Sequence, residues 1–127
     1  MGQQLQKNKA DDNSTKLRLK ELPFRISIDV ALANGFEFKD MTNANVKEFH
    51  RFLSDTVYKR LTISQVDEEF LRKRGMADAP PIKYGDIELI HYGKDASSFR
   101  LFGYYNSDGY FSVCRIDGKH RTHKSKK

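Results

Sequence analysis

Three residues near the C-terminus are of the types that cleave RNA without a metal ion. Arg100 and Arg115 lie in two strand-like runs, and His120 follows the second run closely. Metal-free cleavage requires a base for the 2′-hydroxyl, cations for the charge that develops at the phosphate, and an acid for the leaving 5′-oxygen. An imidazole exchanges a proton near neutral pH, and guanidinium groups bind phosphate. We therefore predict a catalytic set of Arg100, Arg115 and His120; the alternative for His120 is a solvated tail histidine.

Aromatic residues alternate with the arginines in these two runs, on either side of a turn at residues 106–109. The turn allows two registers, in which Arg100 lies opposite either Arg115 or Asp117. Bases stack on aromatic rings while guanidinium groups hold phosphates, so Phe102 and Tyr104 are predicted to contact RNA. The alternative is that nearby acids pair the arginines and the aromatic rings belong to the core. In both registers one sheet face is predicted to carry Arg100, Phe102, Tyr104, Phe111, Val113 and Arg115.

Positive charge is concentrated at the two ends of the chain. The 127 residues include 23 Lys and Arg against 17 Asp and Glu, a net charge of +6, and residues 21–114 are slightly acidic. A basic segment beside the predicted site attracts polyanions, so RNA, DNA or a ribosome is the expected partner. Lys119, Arg121 and Lys124 are predicted to contact RNA. The alternative is that the basic tail serves only solubility.

Hydrophobic spacing predicts the elements that position these residues. Apolar and polar residues alternate over residues 24–30, which is typical of a strand with one buried face. Asn34-Gly35 indicates a turn, and residues 36–38 after it suggest a second short strand or hairpin arm. The second half of the chain, after two consecutive prolines, contains three further strand-like runs near residues 87–91, 99–105 and 110–116.

Two helices are predicted between these strands. Thr42 or Asn43 can cap the first, and Ser64 can cap a second whose charged last turn ends before Gly75. The first helix has an apolar stripe at spacings of three and four, formed by Val46, Phe49, Leu53 and Val57. Phe49 and Leu53 are expected in the core.

The sequence thus predicts an α+β fold with two helices packed on a small antiparallel sheet. Residues 1–16 are predicted to be a disordered leader, residues 17–121 a single α+β domain, and residues 122–127 a basic tail. A single cysteine, Cys114, excludes an internal disulfide and a cysteine-rich zinc site. No apolar run has the length of a membrane-spanning helix or a signal peptide. We therefore expect a cytoplasmic protein with no membrane contact, no metal and no cofactor.

The closing residues resemble those of a known family. Arg100-Leu101-Phe102, a short turn, Val113-Cys114-Arg115 and His120-Arg121 are similar to the last strands of RelE/YoeB-type toxins, the messenger RNA ribonucleases of toxin-antitoxin pairs. The resemblance implies a small fold with helices on one side of an antiparallel sheet. It also implies that Arg100 contacts the scissile phosphate and that His120 takes the place of the terminal histidine or arginine. A cognate acidic antitoxin protein and the ribosome are the partners that it implies.

Two other classes of function remain open from the sequence. A non-catalytic RNA- or DNA-binding module would use the same sheet face and the same basic tail. A small inhibitor or accessory protein would instead present exposed Phe and Tyr residues to a protein partner.

Overall fold

The computed structural model describes residues 19–72, 82–94 and 97–118, so the predicted leader at 1–16 and the basic tail at 122–127 lie outside the described residues. The described part has mixed α and β content. Its helices are α1 (Asn43–Asp55) and α2 (Ile63–Phe70), with a 3-10 turn at Phe38–Asp40. Neither helix has the length and apolarity that crossing a bilayer requires. The strands are β1 (Ile26–Ser27), β2 (Leu71–Arg72), β3 (Lys83–Tyr84), β4 (Ile87–Glu88), β5 (Ile90–Gly93), β6 (Arg100–Tyr105) and β7 (Phe111–Asp117).

Five of the strands form one sheet in the order β1-β7-β6-β5-β2, and β3 pairs with β4 in a separate hairpin. The expectation of a purely antiparallel sheet is wrong at one edge, because β1 runs parallel to β7. A parallel pair needs a long crossover between its strands, and almost the whole described chain separates β1 from β7. The first and last described strands are therefore neighbours.

The strand predicted over residues 24–30 is much shorter in the structure. Phe24 is buried, and its N–H donates to the carbonyl of Leu61 at 2.8 Å. Only Ile26–Ser27 pairs with β7, and Ile28 is half exposed. Alternation alone did not reveal that the chain leaves the sheet edge after two residues.

The predicted second strand at residues 36–38 is replaced by an irregular segment and the 3-10 turn. The expected turn at Asn34-Gly35 is present, and Gly35 has a φ of 85°. This segment still extends the edge of β7: Ala33 N–H donates to the carbonyl of Cys114, and Ile116 N–H donates to the carbonyl of Phe36, both at 2.9 Å. Two isolated bonds of this kind do not make a strand, because the turn at Gly35 lies between them.

The first helix begins where the sequence predicts. Thr42 is its N-cap, and its hydroxyl accepts a hydrogen bond from Asn45 N–H at 3.1 Å. The predicted stripe is correct only in part: Phe49 packs against the core, whereas Val46 is 49% exposed and Phe52, which was not predicted, is 6% exposed. The ring of Phe52 makes edge contacts with Phe24 and Phe70. These partners from elsewhere in the chain, rather than the spacing of apolar residues, select the buried face.

The second helix differs at both ends from its prediction. Thr62 rather than Ser64 is the N-cap, and the helix ends at Phe70 instead of continuing to Gly75. Leu71 and Arg72 leave the helix because they pair with Tyr92 and His91 of β5. Strand pairing therefore outweighs the i,i+4 charge pairs, such as Glu68 with Arg72, that a longer helix would form. Its buried residues, Ile63, Val66 and Phe70, join the core formed with the sheet.

The β6–β7 hairpin has the predicted antiparallel pairing with an irregular register. Arg100 pairs with Asp117 and Phe102 with Arg115, but beyond them Gly103 pairs with Val113. The shift is a β-bulge, and it moves Phe111 and Val113 away from the face on which they were predicted. Both residues are fully buried in the core with Leu101. The predicted common face with the arginines is therefore wrong for these two residues.

Candidate nucleic-acid site at the end of the sheet

Three strands bring polar residues to one end of the five-stranded sheet. Gly93, the last residue of β5, pairs with Arg100, the first residue of β6, and Arg100 pairs with Asp117, the last residue of β7. We call this region the Arg100 end, defined by Gly93, Lys94, Arg100, Asp117 and Gly118. Arg100 and Asp117 are 5% and 0% exposed. Opposite charges directly across an antiparallel pair are a favourable arrangement.

Arg100 is held by backbone carbonyls. Its Nη1 donates to the carbonyls of Lys94 at 3.1 Å, Ser97 at 2.5 Å and Phe99 at 2.8 Å. Its side chain passes close over Gly93, where an added Cβ would lie 2.5 Å from Arg100 Cδ. The guanidinium thus holds Lys94, Ser97 and Phe99 beside the first residue of β6.

The exit of the chain from β7 is fixed beside the start of α1. The carbonyl of Gly118 accepts hydrogen bonds from Asn45 Nδ2 and Ser98 Oγ, both at 3.2 Å. Asn45 is also part of the α1 capping box, since its Oδ1 accepts from Thr42 N–H at 3.1 Å. The sequence continues from this anchored point into Lys119, His120 and Arg121. These three residues and Lys124 lie outside the described residues.

Arg115 and Phe102 lie together on the sheet face opposite the helices, which we call the outer face. Phe102 stacks on His91 with ring centroids 4.4 Å apart, and Arg115 lies 4.2 Å from the ring centroid of Phe36. The register places Arg72, His91, Phe102 and Arg115 in one row across four strands. Phe102 is 1% exposed, whereas Arg115 is partly exposed.

Tyr104 lies on the outer face two residues beyond Phe102 in β6. Its ring stacks on Tyr84 of the β3–β4 hairpin, with centroids 5.9 Å apart and an angle of 12° between the rings. Tyr84 is 43% exposed and Tyr104 is partly exposed. Among the predicted RNA-contacting residues that the structure describes, Tyr104 is the more accessible aromatic one.

The structure separates the two predicted catalytic arginines into different environments. Arg100 lies opposite Asp117 and Arg115 lies opposite Phe102, so the register that pairs them directly does not occur. Asn45, Ser97 and Ser98, which organise the Arg100 end, were not predicted from the sequence. Thr42-x-x-Asn45 is a recognisable capping pattern, but no sequence signal links it to Gly118. Across residues 19–72, 82–94 and 97–118, no three His, Cys, Asp or Glu side chains are grouped as metal ligands.

No protein-family model, curated protein or solved structure gives a significant match to this chain.

Proposed function

We propose that the protein is a metal-independent endoribonuclease of toxin type that acts on messenger RNA, free or on the ribosome. One observation carries the proposal: Arg100 pairs with Asp117, and only Gly118 and Lys119 separate Asp117 from His120 in the sequence. A buried arginine and the segment that leads to the histidine therefore belong to the same end of the sheet. The resemblance to RelE/YoeB-type toxins supports the same assignment.

The described contacts suggest distinct roles for the two arginines. Arg100 is buried and bound to three carbonyls, which suits a residue that orders the site and adds a fixed positive charge. Arg115 is partly exposed beside an aromatic ring, which suits contact with a phosphate. His120 would exchange the proton, while Lys119, Arg121 and Lys124 would attract RNA.

The proposal also implies protein partners. A toxin of this type is held inactive by a cognate antitoxin, and an acidic segment would complement the basic residues of the C-terminal tail. The ribosome would supply messenger RNA in an extended form.

A second candidate function is RNA binding without cleavage. The observation that favours it is the exposed Tyr84–Tyr104 stack, because aromatic rings on a sheet face are platforms for unpaired bases. In this alternative the basic tail still binds the backbone, and His120 has no catalytic role.

The proposal is tested by measuring cleavage of labelled RNA by wild type, His120→Ala and Arg115→Ala. The reactions contain EDTA and are run both with and without translating ribosomes. We expect wild-type cleavage to persist in EDTA and His120→Ala to reduce the rate by about 100-fold or more, since general acid–base groups contribute factors of this size. His50→Ala, at an exposed histidine of α1, and Lys47→Ala are matched controls that should retain activity.

Retention of RNA on the protein is measured in the same samples. Binding without cleavage would contradict the ribonuclease and assign the binding module. Neither binding nor cleavage would contradict both.

A further inference from the structure

A cavity lies beside the Arg100 end, between α1, the end of α2 and the connection from β5 to β6. Its volume is about 260 Å³. Three buried rings contribute to its wall, those of Phe52, Phe70 and Phe99. Drug-sized ligands occupy pockets of roughly 300–1,000 Å³, so this cavity suits something smaller, of the size of one or two rings.

The polar rim of the cavity carries balanced charge. Glu48 and Asp55 contribute carboxylates, while Arg51 and Lys94 contribute cations. Lys94 Nζ lies 3.8 Å from Asp55 Oδ2 and 5.4 Å from the ring centroid of Phe70. The two carboxylates would repel an anionic ligand, and the two cations would repel a cationic one. The rim as a whole therefore adds little electrostatic affinity for a charged ligand of either sign. An uncharged ligand could donate hydrogen bonds to the carboxylates and accept hydrogen bonds from the cations.

The aromatic residues of the wall favour a ligand that contains a ring. Aromatic side chains bind planar ligands by stacking, and the edge of such a ring would reach the rim groups. Nucleobases combine the three properties: they are uncharged, flat, and carry donors and acceptors on one edge. Carboxylates accept from exocyclic amino groups, and ammonium and guanidinium groups donate to carbonyl oxygens and ring nitrogens of the base.

Arg100 connects this cavity to the proposed site of cleavage. The carbonyls that its Nη1 binds include those of Lys94 and Ser97, and both residues line the cavity. Ser97 Oγ in turn donates to Glu48 Oε2 at 2.9 Å. One chain of contacts therefore runs from the buried arginine through the β5–β6 connection to α1.

We propose that the cavity binds one nucleobase of the RNA substrate. This inference rests on the proposed function, since it deepens the same site by giving it a base-binding pocket. Glu48, Asp55 and Lys94 contact the edge of the base, and the phenylalanine rings contact its face. Arg100 is a positioning residue that holds the cavity wall.

Binding of free nucleosides tests the inference without any need for cleavage. Adenosine, guanosine, cytidine and uridine are titrated into the full chain, and amide shifts are followed by two-dimensional NMR. We expect saturable shifts of the Lys94, Ser97 and Glu48 amides with at least one nucleoside. Glu48→Ala and Asp55→Ala should each weaken that affinity by about fivefold, since each removes a hydrogen-bond acceptor. Glu69→Ala, at an exposed carboxylate of α2, is the matched control and should not change it.

The outcomes separate the inference from the proposed function. Three results would overturn the cavity assignment, even if the protein cleaves RNA. They are the absence of shifts with all four nucleosides, equal shifts with ribose alone, and a nucleoside affinity that neither variant changes. Nucleoside binding that depends on Glu48 and Asp55 in a protein that does not cleave RNA would support the cavity and contradict the ribonuclease.

Discussion

At the scale of single residues, the role of an arginine depends on what surrounds its guanidinium. Sequence spacing makes Arg100 and Arg115 equivalent candidates for binding phosphate. In the structure Arg100 is 5% exposed and binds backbone carbonyls, whereas Arg115 lies partly exposed beside Phe36. A buried guanidinium must be paired with acceptors, and the carbonyls of Lys94, Ser97 and Phe99 provide them. No pattern of residue types in the sequence identifies these carbonyls as partners.

Asp29 provides a prediction about pH. Its carboxylate accepts hydrogen bonds from Asn106 Nδ2 at 2.8 Å and from Ser27 Oγ at 3.0 Å. The hydrogen bond from Asn106, with smaller effects of Ser112 and Ser27, lowers the pKa of Asp29 below its ordinary value of 3.8. A lowered folded-state pKa stabilises the protein above the unfolded pKa, and this stabilisation is lost as pH falls through the folded-state value.

We therefore expect Asp29→Asn to reduce the pH dependence of stability in acid. The free energy of unfolding, measured with urea at neutral pH and at about pH 3, should fall less in the variant than in wild type. Asp86→Asn removes the same charge from the exposed β3–β4 turn and controls for net charge. An equal fall in wild type and Asp29→Asn would contradict the proposed effect of the Asn106 contact.

At the scale of elements, the β-bulge in the β6–β7 hairpin decides which side chains reach the outer face. Gly103 lies at the register shift, and a Cβ there would be 2.2 Å from the carbonyl oxygen of Ser112 and 2.9 Å from the Phe111 ring. We predict that Gly103→Ala destabilises the protein by about 1–3 kcal/mol, as overpacking of a close-packed site does. Urea unfolding measures the change, with Ser107→Ala in the exposed turn as control. Stability equal to wild type would show that the hairpin can realign without cost.

Several elements follow from local sequence, whereas the early end of α2 depends on a distant partner. Thr42 as a cap and the two strands around residues 106–109 are local features, and both are present. The early end of α2 depends on pairing between Leu71 and Tyr92, which are far apart in the chain. The β3–β4 hairpin was missed although Gly85-Asp86 is a recognisable two-residue turn, and Gly85 has a φ of 61°.

The residues of the candidate site also divide into those that local sequence places correctly and those that it does not. Alternation correctly placed Phe102 and Arg115 on one face, and the register with Arg100 opposite Asp117, one of the two that the turn allowed, makes them a pair. It failed for Phe111 and Val113, since the length of a connection does not reveal a bulge inside the strand. The cavity is less predictable still, because α1, α2 and the β5–β6 connection each contribute only part of its wall.

At the scale of the whole molecule, β7 pairs with elements from both the first and the last part of the described region. It pairs with β6 on one side, and on the other side with β1 and the segment that contains Ala33 and Phe36. Separating β7 from the sheet would therefore release N-terminal and C-terminal elements together. Such an arrangement favours cooperative unfolding of the described domain.

Cys114 reports on that unfolding because it lies within β7 and is the protein's one thiol. It is 4% exposed, and burial raises the pKa of its thiol, so both access and thiolate formation are unfavourable in the folded state. We expect a disulfide reagent at neutral pH to label native protein at least about 100-fold more slowly than protein in concentrated guanidinium chloride, because labelling requires opening of β7. Gly103→Ala should label faster than wild type, with the logarithm of the rate rising in proportion to the lost stability, whereas Ser107→Ala should label at the wild-type rate. Rapid labelling of the native wild type would mean that β7 opens locally, without unfolding of the elements with which it pairs.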